Sequence, residues 1–398
     1  MEVHCSMRLF SSGTAWGRRA DLFLLFLALL GIGLHALAEA TRKMSPQPHL
    51  QQKMAAATRT VRCFEAIRLA RMGTPAAMDE ENDPSASGLI GQEFTLTTTD
   101  RGVLEAKLTS INPNFAAVFI EYFYEAGLKP GDPVAIALTG SFPALNIAVL
   151  TAAEEMELRA IPITSVGASM WGANDPYFSW LDMERLLNDK GLLRTRSVAA
   201  SLGGSNDRGR GLSPRGRGLL EQAIERNEIR YIDKPTLDES IKERVEIFNA
   251  HAEPERIKAY VNLGGGAAST GTSQNVKVLR AGVNERIRPY NFTLRGALHH
   301  YGLRGVPVIH ILRIQTIAER HGLPVSPESV PPVGEGEIFY QESYDLRITV
   351  PALLSYLVLC FGVLRARQRA ARTAREAMTP PVVVSDMDRN AVGEGRGG

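Results

Sequence analysis

The sequence predicts an α/β protein with a mostly parallel sheet and flanking helices, extracytoplasmic and placed between two transmembrane helices. Short apolar runs of strand type alternate with runs at helical spacing, an order typical of parallel sheets covered by helices on both faces. Two uncharged runs, one near each end of the chain, are long enough to cross a bilayer. These observations predict the fold class and the membrane location together.

The first apolar run covers residues 22–38 and follows Arg18 and Arg19. This order predicts a transmembrane helix whose N-terminal side stays in the cytoplasm. A cleavable signal peptide has the same pattern, and the small residues Ala36 and Ala38 suit a cleavage site. The apolar character extends over the whole run, which favours the retained helix. Both alternatives place the following residues outside the cytoplasm.

The second apolar run covers residues 348–364, and arginines follow it at once, from Arg365 to Arg375. Basic residues stay on the cytoplasmic side, so the tail is predicted inside. A buried core helix is the alternative, but such a helix rarely ends in several arginines. The predicted segments are a cytoplasmic N-terminus at 1–21, a transmembrane helix or signal sequence at 22–38, an extracytoplasmic α/β domain at 39–347, a transmembrane helix at 348–364, and a basic, disordered cytoplasmic tail at 365–398.

The composition limits the chemistry of the exported domain. The net charge is +2, and part of the arginine excess flanks the apolar runs, so no nucleic-acid partner is expected. Cys63 is the only cysteine between the two runs, which excludes an intramolecular disulfide there. No histidine pair has the H-E-x-x-H spacing, so neither a metal nor another cofactor is expected.

Two helices are predicted ahead of the sheet. Residues 49–71 carry apolar side chains on one face, and Asn112 opens a second helix that Gly127 closes. A small, polar linker is predicted at 74–91 and a β-rich segment at 94–100.

The sheet is predicted from residue 133 onward. Strand 133–138, helix 143–158 and strand 160–164 form a βαβ unit. In such sheets ligands bind where the carboxyl ends of strands meet Gly-rich turns. Further strands are predicted at 197–202, 230–232, 259–263 and 307–311, with helices at 219–226, 237–252 and 313–321.

Ser141 lies between the first strand and its helix, where a nucleophile elbow would stand. The G-x-S-x-G motif is incomplete, because Pro143 occupies the place of the second glycine. A hydrolase would use Ser141 as nucleophile, His310 as base and Asp175 to orient the base. Helix capping by Ser141, or anion binding by its backbone, is the simpler alternative. A structural role is likewise the commoner one for a strand histidine such as His310.

The stretch WGANDP contains two further candidate binding residues, Trp171 and Asn174. A tryptophan among small and amide residues can form the wall of a binding site. The alternative is a tight turn in which Asn174 and Asp175 hydrogen-bond their own backbone.

The stretch 201–218 is rich in glycine and arginine and follows a predicted strand. Arginine binds carboxylates in a bidentate way, and glycine frees backbone N–H groups. The stretch therefore predicts a binding segment for an anionic ligand, with a solvated mobile loop as the alternative. Its only acid is Asp207, and its cations are Arg208, Arg210, Arg215 and Arg217.

A second Gly-rich stretch contains Gly264, Gly265 and Gly266 and follows the strand predicted at 259–263. It has neither the glycine spacing of a dinucleotide-binding motif nor the lysine of a P-loop. It is compatible with an anion-binding nest of backbone N–H groups.

Several stretches carry a family resemblance: 88–91 (GLIG), 112–117 (NPNFAA), 140–150 (GSFPALNIAVL), 167–176 (GASMWGANDP), 180–184 (WLDME) and the two Gly-rich stretches. Through them the chain resembles the poly-gamma-glutamate system protein family, membrane proteins that accompany the bacterial machinery for making and exporting poly-γ-glutamate. The resemblance covers most of residues 54–364. It implies a pathway and a membrane location, and it implies no residue roles.

The resemblance implies a membrane-anchored accessory protein of poly-γ-glutamate synthesis or export that handles polymer or assembles the complex without being an enzyme. The implied partners are the synthase and export membrane subunits and the anionic polymer. The γ-glutamyl ligase uses ATP inside the cell, so the exported domain is not the ligase. Two alternatives stay open: an extracytoplasmic serine hydrolase or transferase acting on γ-glutamyl bonds, and a solute- or cell-wall-binding module.

Overall fold

The computed structural model describes residues 15–72, 78–79, 81–272, 275, 278–288 and 294–378, with the side chains at 15–21 and 374–378 left out. The described residues form two compact units. One comprises the residues up to Ser45 and from Glu342 onward, and the other comprises Pro46–Gln341. The linker predicted at 74–91 lies partly outside the described residues, and the predicted tail beyond 378 lies wholly outside them.

The first unit contains both apolar runs as helices. Helix α1 covers Ala15–Ala40, helix α12 covers Leu346–Met378, and each includes a stretch long and apolar enough to cross a membrane. Their described leucine and phenylalanine side chains are largely exposed. Helix α12 continues through 365–378, so the disorder predicted for that part of the tail is wrong.

Two short strands, β1 (Lys43–Pro46) and β10 (Tyr340–Ser343), pair with each other. Within the second unit, the backbone N–H of Gln47 donates to the carbonyl of Phe339 at 2.8 Å. The fully buried Lys53 amine donates to Glu121 and, at 3.2 Å, to the carbonyl of Ile338. The beginning and end of this unit are therefore joined by polar contacts within its own structure.

A six-stranded sheet forms the centre of the second unit, in the order β6-β4-β3-β7-β9-β8. Only β8, at one edge, runs antiparallel to its neighbour. The predicted parallel α/β fold is thus confirmed. The strands are β3 (Pro133–Thr139), β4 (Arg159–Ser165), β6 (Ala199–Ser201), β7 (Ala259–Leu263), β8 (Gly282–Asn284) and β9 (Val308–Ile311).

Helices cover both faces of this sheet, because successive residues of a strand point to opposite faces and both sets are apolar. Val134, Ile136 and Leu138 of β3 belong to one core cluster, and Ala135 and Ala137 belong to the other. The described helices are α2 (Leu50–Met72), α3 (Leu104–Ser110), α4 (Phe115–Glu125), α5 (Pro143–Glu155), α6 (Trp180–Asp189), α7 (Pro214–Arg226), α8 (Leu237–Ala252), α9 (Ala267–Thr270), α10 (Ala297–Gly302) and α11 (Ile314–Arg320).

The predicted helix after Asn112 begins later than expected. Its N-cap is Asn114, and the Asn112 side chain instead accepts a hydrogen bond from the Asn114 N–H at 3.0 Å. Gly127 does follow the helix end, with a φ of 75° that suits glycine.

Three other segments differ from their predicted form. In the β-rich segment only β2 (Thr98–Asp100) is a strand, and it pairs with β5 (Ala168–Ser169) in a small sheet of its own. The strand predicted at 230–232 makes a single bridge, between Tyr231 and Ala200. The Gly/Arg-rich stretch ends inside α7, because Ser213 and Pro214 supply a cap and a first helical residue.

Candidate functional site

The carboxyl ends of β3, β4 and β6 lie side by side and end in hydroxyl residues. Thr139 is in register with Ser165, and Ser165 with Ser201. Parallel strands place their carboxyl ends at one edge of the sheet, so the turns that follow share that edge. Both Gly-rich stretches begin there, after β6 and after β7.

A buried ion pair anchors the first Gly-rich stretch. Arg244 of α8 reaches Asp207 with Nη2–Oδ2 and Nη2–Oδ1 distances of 3.0 and 3.1 Å, and both side chains are almost wholly buried. Ser201 and Ser240 donate to the Asp207 carboxylate at 2.7 and 2.6 Å. Arg244 Nη2 also donates to Ser165 Oγ at 3.1 Å. The carboxylate therefore has its charge and lone pairs satisfied, as a buried acid requires.

The backbone around Asp207 is folded tightly on itself. The Gly209 N–H donates to the Gly203 carbonyl at 2.7 Å, and single bridges join Gly203 to Arg208 and Ser205 to Arg210. Gly203 has a positive φ of 71°, which glycine adopts without strain. The stretch thus forms a hydrogen-bonded loop, and the solvated mobile loop stays an alternative prediction.

The four arginines of this stretch lie on the loop and on the first turn of α7. Arg208, Arg210 and Arg215 are exposed, and Arg217 is half-buried. Arg208 Nε is 3.9 Å from Asp233 Oδ1, and Arg217 donates to the carbonyl of Leu212 at 2.7 Å. Within the described part of the chain, Arg210 and Arg215 form no ion pair or side-chain hydrogen bond.

The second Gly-rich stretch curves over the end of β3. Gly264 has a φ of 73°, and a Cβ there would lie 3.3 Å from Thr139 Cγ2. Its carbonyl accepts from Asn262 Nδ2 at 2.7 Å. Gly265 is exposed, and Gly266 is the N-cap of the single-turn helix α9. Anion binding by the backbone N–H groups of this stretch remains a prediction.

Ser141 makes contacts different from those of a helix cap. The N-cap of α5 is Phe142, and no side chain caps this helix. Ser141 Oγ instead accepts from the Ser169 N–H at 3.0 Å. The predicted capping role of Ser141 is therefore wrong.

The structure does not assemble the predicted triad. His310 Nδ1 is 2.9 Å from Asn262 Nδ2, and Asp175 pairs with the Arg71 guanidinium at 2.8 Å. The strand β7 separates β3 from β9, a gap of about 10 Å at ordinary strand spacing. Burial, with Arg313 nearby, lowers the pKa of His310 to about 4, which makes it a weak base. Ser141, His310 and Asp175 form no hydrogen bonds with one another.

Trp171 and Asn174 hold a turn against the segment before β2. Asn174 is buried, and its Nδ2 donates to the Gln92 carbonyl at 2.6 Å and to Thr98 Oγ1 at 3.0 Å. The backbone N–H of Trp171 donates to the same Gln92 carbonyl at 2.9 Å. Asp175 Oδ1 accepts a hydrogen bond from the backbone N–H of Tyr177. This is the side-chain-to-backbone turn contact that was predicted as the alternative to a binding site. Asn174 thus serves the structure of the turn.

A buried lysine at the same sheet edge is not among the site residues predicted from the sequence. Lys107 of α3 is 2% exposed, and its amine donates to the Ser141 carbonyl and, at 2.9 Å, to Ser169 Oγ. The amine also lies 4.1 Å from the centre of the Phe142 ring. Burial lowers the pKa of Lys107 to about 7. No motif in the sequence marks this lysine, because its partners come from a turn and a short strand that are distant in sequence.

Comparison of the chain with protein-family models, with curated proteins and with solved structures finds no match, so its resemblance to the poly-gamma-glutamate system proteins stays a prediction.

Proposed function

We propose that this protein is a membrane-anchored accessory subunit whose α/β domain binds an anionic polymer outside the cytoplasm. The polymer class is poly-γ-glutamate, which carries a carboxylate on every residue and which the sequence resemblance implies. The subunit handles this polymer, or assembles the synthase and export membrane subunits around it, without making or breaking its bonds.

The observation that carries the proposal is the pair of exposed arginines Arg210 and Arg215, which have no ion-pair partner among the described residues. A protein surface ordinarily leaves some arginines free, but these two lie on a hydrogen-bonded segment with Arg208 and Arg217 close in sequence. Guanidinium groups bind carboxylates in a bidentate way. Several weak contacts to one flexible polyanion add up, because each further contact forms within an already bound chain.

The anchoring of this segment supports the same function. Asp207 faces inward to Arg244, so the only acid of the stretch is withdrawn from the surface. Asp207 therefore does not compete with an anionic ligand for the exposed arginines. A loop held by hydrogen bonds also loses less conformational entropy on binding than a mobile one.

The direct test is binding of poly-γ-glutamate to the detergent-solubilised full-length protein at increasing salt. We expect binding at 20 mM salt and release near 1 M, where the Debye length shrinks to about 3 Å. Replacing the four arginines of the segment together by glutamine is expected to weaken binding by about 10-fold or more. The matched control replaces Arg62, Arg185, Arg256 and Arg304, which are exposed and scattered over the same domain.

Equal loss of binding in the control variant would show that net charge matters and that the segment does not. Binding that persists at 1 M salt would place the polymer in a shaped site elsewhere. Absence of binding at every salt concentration would refute polymer binding and leave only an assembly role, which co-purification of synthase and export subunits would test.

The proposed topology places both termini in the cytoplasm and the domain outside it. The two apolar helices and the arginines that follow the second one support this orientation. A reporter active only outside the cytoplasm is expected to give signal when fused after Ser329 and none when fused after Arg375. The reverse pattern would refute the orientation.

A further inference from the structure

The Lys107 amine is buried without a carboxylate partner among the described residues, which distinguishes it from a structural lysine. A structural lysine in a protein interior is normally paired with a carboxylate, as Lys53 is with Glu121. Among the described residues, the partners of the Lys107 amine are a carbonyl, a hydroxyl and an aromatic ring. An amine without a counter-ion is easily deprotonated, and a neutral amine has a lone pair that can accept a proton.

We propose that Lys107 and Ser169 form a serine–lysine acyl-transfer site, with Ser169 as nucleophile and Lys107 as its base. The Nζ–Oγ distance of 2.9 Å is the distance over which a hydroxyl proton passes directly to an amine. Ser169 is partly exposed, whereas Lys107 is buried behind it, so a substrate meets the hydroxyl first. The site does not depend on polymer binding by the arginine segment.

Charged groups near α3 do not replace the missing counter-ion. Glu105 is on the same helix, Asp100 and Arg101 precede it, and Arg313, Glu319 and Arg320 belong to or adjoin α11, which packs against α3. All six are exposed, and among the described residues none pairs with the Lys107 amine. Burial is the cause that lowers the pKa of Lys107 to about 7, so a large fraction is neutral at physiological pH.

The turn around Ser141 fixes the geometry of the pair. Its carbonyl accepts one hydrogen bond from the Lys107 amine, which points the nitrogen at Ser169. Its Oγ accepts from the Ser169 N–H at 3.0 Å, which fixes the backbone that carries the nucleophile. Helix α5 begins directly after this turn, so the positive end of its dipole lies at the same sheet edge. Ser141 is thus a positioning residue.

The site suits an acyl ester, or an amide that is not a bond of the polymer, as substrate. Ser169 Oγ attacks the carbonyl carbon while its proton passes to the neutral Lys107 amine, giving an alkoxide-like tetrahedral intermediate and an ammonium. The ammonium returns the proton to the departing alcohol or amine as the carbonyl–leaving-group bond breaks. Water then cleaves the acyl-serine ester by the same proton route and releases a carboxylic acid.

The test is labelling of the detergent-solubilised full-length protein with diisopropyl fluorophosphate, followed by peptide mass mapping. The Ser169 Oγ–phosphorus bond forms, the phosphorus–fluorine bond breaks, fluoride leaves, and Lys107 takes the hydroxyl proton. We expect one label on Ser169, with a labelling rate that rises with pH about a midpoint near 7 as Lys107 loses its proton. The variant S169A is expected to take no label at this position.

The matched serine control is S326A, because Ser326 also hydrogen-bonds to α3, through the Glu105 carbonyl, and lies outside the site. It should label like the wild type. The variant K107M keeps the bulk of the side chain without the amine, and its labelling rate should fall by roughly 100-fold and lose the midpoint.

Three results would overturn the proposal: no label on the wild type, a label on another serine, or a wild-type rate in folded K107M. If K107M does not fold, the wild-type pH profile decides the role of Lys107. A rate that shows no midpoint between pH 6 and 8 would then refute its action as base.

Discussion

Replacing Arg244 by methionine tests whether the buried ion pair between Arg244 and Asp207 holds the Gly/Arg-rich stretch 201–218 in place. The change leaves the Asp207 carboxylate buried with hydroxyl donors alone: Ser201 and Ser240 at 2.7 and 2.6 Å, and Ser165 at 3.5 Å. Both side chains of the pair are at most 3% exposed, so water cannot replace the guanidinium. Removing one partner of such a pair costs about 3–5 kcal/mol of unfolding free energy. We expect a loss in this range for R244M.

Urea unfolding of the full-length protein in detergent, followed by tryptophan fluorescence, measures this loss. The matched control is K242M, on the same helix, which breaks the exposed pair between Lys242 and Asp238 and should leave stability nearly unchanged. The double variant D207N/R244M removes both charges and should recover at least half of the lost stability. R244M should also weaken poly-γ-glutamate binding, since the loop loses its anchor.

A loss below about 1 kcal/mol in R244M would refute the argument, because it would mean that Asp207 reaches water or another cation once Arg244 is gone. A double variant no more stable than R244M would show that packing by the arginine stem, rather than the ion pair, anchors the loop.

Three further predictions use other features of the fold. Gly216→Ala should destabilise the protein, because the new Cβ would lie 2.1 Å from the Leu96 carbonyl oxygen. Gly218→Ala, in the same helix, has open space around the new Cβ. It should raise the free energy of unfolding by about 0.5–1 kcal/mol, as measured by thermal unfolding. Burial raises the pKa of Glu184 to about 7, so the folded state keeps a proton that the unfolded chain releases above its ordinary pKa. The stability of the wild type relative to E184Q should therefore be highest below pH 4.5 and fall by about 3 kcal/mol as the pH rises through 7, and a pH-independent difference would contradict this. Arg215→Glu places an anion at the first turn of α7, so it should raise stability by about 0.5 kcal/mol while weakening polymer binding; parallel loss of both would show that Arg215 is structural.

The sheet could be predicted because its strands are continuous apolar runs with clear flanks. Strand β7 and helix α8 have the predicted bounds, since a buried parallel strand and a capped amphipathic helix both leave local patterns. Helix α7 was predicted from residue 219, although Ser213 and Pro214 carry the signal of its start. The glycines and arginines around these two residues have the composition of a loop. For this reason the helix start at Ser213 and Pro214 was not predicted.

The polar contacts at the sheet edge could not be predicted, since they join residues distant in sequence. Asp207 and Arg244 lie on different elements, and nothing local distinguishes this acid from a surface one. Lys107 is harder still, because Leu104 and Leu108 of α3 are only partly buried while Lys107 is almost wholly buried. The apolar spacing of α3 therefore indicates the wrong face. Tertiary packing, rather than helical periodicity, decides which side chain is inside.

The contact between Gln47 and Phe339 sets an order for the biogenesis of the domain. Residues near the start of the domain meet these partners only after the ribosome has made nearly all of residues 46–341, and Lys53 lacks its Ile338 acceptor until then. Helix α12 begins at Leu346, only a few residues further on. Completion of the domain and emergence of the second apolar helix therefore belong to nearly the same moment of synthesis. A chain truncated before residue 338 would leave a buried amine without its carbonyl partner, which gives quality control a physical basis for telling unfinished chains from finished ones.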